Sequence, residues 1–283
     1  MLNDFLHIDD GHTLITASTV GVSLAEWIRL EAETAGEKAS LELMQQYQLD
    51  VIPLVASDGH AYEYYGTLQP GQYTQARRNP ISYKDTLPSN THIKEVIKSF
   101  VVNKRGFYFL RNRGEICGII TLADLNNRQV KTYLYGLLCD LETDISQFVK
   151  KSIPEEEVVE YLEEAAAAGS DHKRRKGSEV LSRYYRDAED DLRIHITEYL
   201  YLSHYFYLIE DKGLFDRPLK YNVQHWKEIS RGINGIRNIV AHPAQPLIQH
   251  PGELEQVWEQ LESIYDLDFR LRHWSSTLLK PKP

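Results

Sequence analysis

Three polar residues near the end of the chain, Arg237, Asn238 and His242 in the stretch IRNIVAHP, have side chains suited to work on a phosphate. An imidazole exchanges a proton near neutral pH, a guanidinium clamps and neutralises phosphate oxygens, and a carboxamide can orient either group. On a helix turning about 100° per residue, Ile229, Ile233, Ile236 and Val240 fall on one side. Asn238 and His242 share the opposite side, Arg237 flanks the apolar stripe, and Pro243 biases His242 out of the helical region, so the helix is expected to end there. The local core therefore does not need these polar groups. The competing reading is structural, with Arg237 on the last carbonyls of the helix and His242 closing the turn.

A second pair lies in GEICGIITLADLNN. A buried strand ending at Thr121 and turning into a helix would place the Thr121 hydroxyl and the Asp124 carboxylate at the mouth of a strand-helix junction, where a carboxylate can accept both hydroxyls of a ribose. The alternative for Asp124 is the N-terminal cap of the helix that follows. Arg128 and Lys131, one and two turns further on, are the nearest cations in sequence for phosphates.

The elements that must position these groups divide the chain in two. In the first half two strand-turn-strand segments, DVIPLVASDGHAYEYYGTL and GFYFLRNRGEICGIITL, turn at Gly59 and Gly114, 55 residues apart. A helical pattern precedes each: residues 23–48, opened by Ser23-x-x-Glu26, and residues 91–103, with Ile93, Val96, Ile97 and Phe100 on one face. Beyond Asp124 the alternation gives way to helical spacing, with Val130, Tyr133, Leu134, Leu137, Leu138, Leu141, Ile145 and Phe148 on one stripe. An acidic helix after Pro154, a charged loop SDHKRRKG, a long segment 178–209 and helices near 223–241 and 252–274 complete an all-helical half. The tyrosine-rich run YLYLSHYFYL reads as packing.

The chain is 283 residues long, 42% apolar and 26% charged, which fits two soluble globular domains, expected at 1–126 and 127–283. No apolar run is long enough for a bilayer and the N-terminus lacks a signal-peptide pattern, so a cytoplasmic protein is expected. Cys117 and Cys139 sit among apolar residues and read as core, and the histidines form no metal-ligand spacing. The net charge of -9, shared by both halves, argues against a broad nucleic-acid face, so a polyanion would have to meet a local basic cleft.

The motif G-h-h-T-x-x-D at Gly118 to Asp124, lying on a repeat of about residues 8–126, resembles the nucleotide-binding signature of CBS domains (the cystathionine β-synthase type). These occur as pairs and bind adenine nucleotides between the copies. The resemblance implies ATP, ADP or AMP as a regulatory ligand, with Asp124 on the ribose and base contacts from the entering segment NPISYKD, hence Ile81 and Tyr83. The first copy departs, reading YYGTLQPG with Gln69 or Pro70 where the acid belongs, which implies one site per pair.

The half from 127 to 283 resembles HEPN domains, helical bundles whose ribonuclease members carry Arg-(polar)-x-x-x-His at the end of a late helix. Arg237, Asn238 and His242 match without departure. The resemblance implies a homodimer in which two motifs meet across a two-fold axis, and a polar residue on an early helix, here Glu142. The expected fold class is α+β, a tandem CBS module followed by an all-α bundle. The expected function is a nucleotide-regulated endoribonuclease without a catalytic metal, acting on RNA such as tRNA, away from membranes, in phage defence or stress. The alternatives are a non-catalytic nucleotide-sensing scaffold that recruits a partner, or the partner of a separate nucleotidyltransferase.

Overall fold

The computed structural model describes residues 14–168, 171–190, 192, 194–242 and 244–278. They form two compact units: one holds the described residues up to Tyr133 together with those between 244 and 258, the other runs from Leu134 to His242 and resumes at Glu259. The division cuts one long helix after Tyr133 and returns a short later segment to the first unit.

In the first unit the order is α1 (Ala17–Val20), β1 (Val22–Ser23), β2 (Leu30–Glu31), α2 (Glu37–Tyr47), β3 (Val51–Val55), β4 (Ala61–Gln69) and β5 (Gln72–Pro80). A 3-10 turn at Tyr83–Asp85 leads to β6 (Thr86–Pro88), α3 (Ile93–Asn103), β7 (Phe107–Asn112), β8 (Glu115–Thr121) and a second 3-10 turn at Ala123–Asn126. The strands make two four-stranded sheets, β1-β8-β7-β6 and β2-β3-β4-β5. Each contains a short strand that crosses through a helix into a parallel neighbour and then a tight hairpin, β2-α2-β3-β4 and β6-α3-β7-β8. Parallel neighbours need such a crossover, whereas antiparallel ones need only a turn.

The repeat extends to backbone detail. Gly59 and Gly114 take positive φ (86° and 95°) in their hairpin turns, and α2 and α3 both end on a left-handed residue, Gln48 and Lys104. Ile93, Val96, Ile97 and Phe100 are buried as their spacing predicts. Val51 from one sheet joins Phe109 and Ile119 from the other in a shared core cluster. Gly118 belongs to that architecture: a Cβ there would lie 2.6 Å from the Val22 carbonyl oxygen, so only glycine lets β1 pair so closely with β8.

Residues 244–258 are held by polar bonds. The Asn126 side chain donates to the Ile248 carbonyl (2.9 Å) and accepts from the Ile248 N–H (2.8 Å), and the Lys131 ammonium donates to the Gln245 carbonyl.

The second unit is helical throughout its described residues: most of α4 (Arg128–Ser152), then α5 (Glu155–Ala168), α6 (Asp171–Glu189), a 3-10 turn at Ile196–Tyr199, α7 (Leu202–Asp211), α8 (Val223–Ala241) and α9 (Glu253–Leu278), which begins in the first unit. The α4 stripe is buried from Val130 to Phe148 as expected, and Trp226, Ile229, Ile233, Ile236 and Val240 form the buried face of α8. On the rim of this core the Arg272 Nε donates to both Asp144 (3.2 Å) and Asp268 (3.0 Å).

Several expectations are corrected. Residues 23–48 are not one helix: Ser23 lies in β1, its hydroxyl donates to Glu26 to close a turn, and Leu30 is drawn into the parallel pairing of β2 with β3. Polar β5 follows as an edge strand with no apolar alternation to announce it. The stretch DHKRRKG is the start of α6 rather than a loop, because Lys and Arg are good helix formers. Its glycine marks close packing: a Cβ on buried Gly177 would come within 3.2 Å of the Leu162 carbonyl of α5. The segment 178–209 is broken between α6 and α7. Cys117 and Cys139 are exposed, since β8 turns Cys117 outward next to Gly118 and Cys139 shares the outer face of α4 with Tyr135.

Candidate functional sites

In the first unit a cleft of about 590 Å³ opens between the two copies of the repeat. Tyr64 of β4 forms one wall, with its ring edge-on to Phe107 (5.6 Å). Ser82, Lys84 and Asp85 from the entering segment and Arg105 and Gly106 ahead of β7 form the other. Arg105 donates to Asp85 at 2.6 Å. Burial pushes the Asp85 carboxyl up, but the bonds from Ser82 and Arg105 outweigh it and hold the group below the usual carboxylate range.

The Thr121–Asp124 turn lies at the same end of the sheet. Thr121 is the register partner of Phe107, and the Leu122 N–H donates to the Gly106 carbonyl (3.1 Å). One Asp124 oxygen accepts both the Thr121 N–H (2.7 Å) and the Thr121 hydroxyl (2.8 Å). Burial pushes its pKa above the ordinary value against those two bonds. Asp124 therefore binds back to the strand end, and its other oxygen has no bond among the described residues. A half-buried carboxylate with a spare oxygen gains from a hydroxyl donor, which is what a ribose would supply.

The remaining sequence candidates are placed less directly. Ile81 packs against the Val51, Phe109 and Ile119 cluster, between cleft residues Pro80 and Ser82. Tyr83 is 75% exposed with the Arg111 guanidinium 4.5 Å from its ring centre. Arg128 is exposed at the start of α4, and Lys131 is buried on Gln245. Neither lines the cleft, whose cations are Lys84 and Arg105. Sequence reasoning missed both, although Ser82-x-x-Asp85 was a visible capping pattern that could have pointed to Asp85 and its partner.

In the second unit α8 starts at Asn222, whose side chain accepts the His225 N–H (2.8 Å), and ends at His242, which is extended (φ -109°, ψ 92°) and exposed. With the apolar face buried, Arg237 is half-buried and Asn238 exposed. Both line a groove of about 770 Å³ between α7 and α8, whereas His242 lies at the helix end outside its lining. Glu142 of α4 lies near enough to Arg237 for the two charges to act on one another. Burial raises its pKa, and the Arg237 charge pulls the other way. The structure thus brings Arg237 and Asn238 onto one groove, with His242 one turn beyond Asn238 and Glu142 outside the lining but within reach of the Arg237 charge. Among the described residues no group of three or more His, Cys, Asp or Glu side chains is placed to hold a metal ion, and no helix is long and apolar enough to cross a membrane.

No family model and no curated protein matches the chain. Solved structures similar to part of it include an uncharacterized conserved protein from Pyrococcus horikoshii, 16% identical over 40% of this chain and 91% of that one, with a TM-score of 0.31. Another is the CBS domain of the bacterial CNNM/CorC family Mg2+ transporter in complex with ATP, 13% identical over 39% of this chain and 83% of that one, TM-score 0.31. CBSX2 in complex with AMP is 10% identical over 42% and 97%, TM-score 0.32.

Proposed function

We propose that the chain is a homodimeric, metal-independent endoribonuclease whose N-terminal repeat is a CBS-type sensor of an adenine nucleotide. The observation that carries the nuclease reading is the arrangement on α8: Arg237 and Asn238 face a groove rather than the core, Glu142 stands opposite Arg237, and His242 is exposed at the helix end.

In the reaction the 2′-hydroxyl of the RNA attacks the adjacent phosphorus and the 5′-oxygen leaves, giving a 2′,3′-cyclic phosphate. One proton leaves the 2′-hydroxyl and another reaches the 5′-oxygen. A single imidazole cannot do both at once, so the reading calls for two His242 groups, one neutral and one protonated, from two chains meeting across a two-fold axis. Arg237 holds the phosphate and neutralises charge that builds on its oxygens, and Asn238 orients phosphate or imidazole. Glu142, whose charge acts on Arg237, positions it. DNA, without the 2′-hydroxyl, is not cut.

For the sensor, the supporting features are the spare oxygen of burial-strained Asp124, the cations Lys84 and Arg105, and the aromatic wall at Tyr64. Asp124 would take the ribose, and Lys84 and Arg105 the phosphates. The helix α4 begins four residues after Asp124 and carries Glu142, so a nucleotide with different affinity for two positions of α4 would bias the nuclease. One observation favours a non-catalytic scaffold instead: His242 is outside the groove lining.

The test is cleavage of labelled total RNA and tRNA in EDTA, with and without ATP. The expected result is cutting by the wild type with cyclic-phosphate ends, loss of about 10²- to 10⁴-fold in His242→Ala, and a rate that depends on ATP. Equal products from wild type and the Arg237→Ala/His242→Ala double variant would leave the scaffold reading.

A further inference from the structure

We infer that the outward face of α8, with the groove it shares with α7, is a track for single-stranded RNA that leads to Arg237 and His242; this extends the nuclease reading above. At about 100° per residue, Lys227, Arg231, Asn234 and Asn238 lie within about 60° of one another on α8, and His242 continues the line. Two cations are followed by two amides down the helix, and the four helical ones all line the groove. With a rise of about 1.5 Å per residue, the row from Lys227 to His242 is about 22 Å long. That is on the order of four to six nucleotides at a rise of about 3.4 Å each when stacked and more when stretched.

Charge decides what can lie there. The two acids on the groove are already engaged: Glu210 pairs with Lys227 (3.3 Å) and Glu179 accepts the Tyr201 hydroxyl (2.8 Å). Arg231 is exposed and has no ion-pair or hydrogen-bond partner among the described residues. The lining thus holds three cations, Lys227, Arg231 and Arg237, against two acids, Glu179 and Glu210, and keeps a net positive charge in an otherwise acidic protein. An extended phosphodiester chain meets that charge. The facing wall carries Tyr207, 44% exposed, whose ring suits an unstacked base. An A-form duplex keeps its bases stacked away from such a ring, so the track selects single strands and loops.

Full-length His242→Ala protein, which keeps every groove-lining residue, is titrated with 5′-labelled oligoribonucleotides of increasing length, followed by fluorescence anisotropy at several salt concentrations. Affinity is expected to rise with length and level off at about four to six nucleotides. Adding Arg231→Ala is expected to weaken binding about tenfold and to lower the salt slope by about 0.7, the value for one phosphate contact on a single strand. Adding Tyr207→Ala weakens binding about tenfold and leaves the slope unchanged. Lys38→Ala, which removes an exposed cation from α2, changes neither. Absence of binding, equal affinity with and without Arg231, or equal affinity for the matching duplex each overturns the track. Wild type that cuts RNA while Arg231→Ala binds normally removes the track alone; Arg231-dependent binding by a wild type that never cuts removes the nuclease reading alone.

Discussion

Replacing Asp268 by asparagine tests the electrostatics of the second unit without any knowledge of substrate. The Asp268 side chain is only 10% exposed and shares Arg272 with Asp144. Burial, with Asp144 adding to it and Arg272 opposing, raises the Asp268 pKa from 3.8 to about 6. The folded state then holds a proton that the unfolded chain has released between about pH 4 and pH 6, so this group's contribution is most favourable below pH 4 and is lost as pH rises to about 6. At about 1.36 kcal/mol per unit the whole shift is about 3 kcal/mol; water and Arg272 screen the open side of the pair and bring it to about 1–2 kcal/mol. Asparagine does not titrate. Relative to wild type, Asp268→Asn should gain about 1–2 kcal/mol between pH 4 and pH 7.5, a few degrees in melting temperature, whatever constant offset the lost bond to Arg272 adds. Thermal unfolding of both proteins by circular dichroism across that range measures it. Two curves that run parallel across the window would refute the reasoning.

Two further outcomes follow from the geometry. Glu142→Gln keeps the size of the side chain but removes the charge acting on Arg237, so RNA cleavage should fall by an order of magnitude or more. Stability near neutral pH should hold or rise by up to about 1 kcal/mol, because burial disfavours the charge; a variant as active as wild type would free Arg237 from Glu142. Gly118→Ala forces a Cβ within 2.6 Å of the Val22 carbonyl and should destabilise the first unit by about 1–3 kcal/mol, and an unchanged melting temperature would mean that β1 yields.

What could be read in the sequence was what a single element decides for itself. The two faces of α8, the stripe of α4 and the buried side of α3 all follow from helical spacing, and the turn glycines Gly59 and Gly114 exposed the repeat. Placement that depends on a distant partner was hidden. Leu30 is a strand residue only because β3 lies beside it, and β5 exists only as the edge that β4 accepts. The same holds at the sites. Arg105 joins the cleft through Asp85, 20 residues earlier, and Lys131 leaves it for Gln245, 114 residues later. Glu142 could be nominated from the family resemblance, but the burial that raises its pKa could not.

The reciprocal bonds between Asn126 and Ile248 make the helical stretch from Leu134 to His242 an insertion within the first unit. During synthesis the first unit emerges first, yet it stays unfinished until residues 244–258 have left the ribosome, by which time α8 is already made. The last piece to be seated in the first unit follows His242 almost at once. Maturation of the two units is thereby ordered: a chain truncated just past His242 carries all of Arg237, Asn238 and His242 and an incomplete first unit, and a nascent one passes through that state.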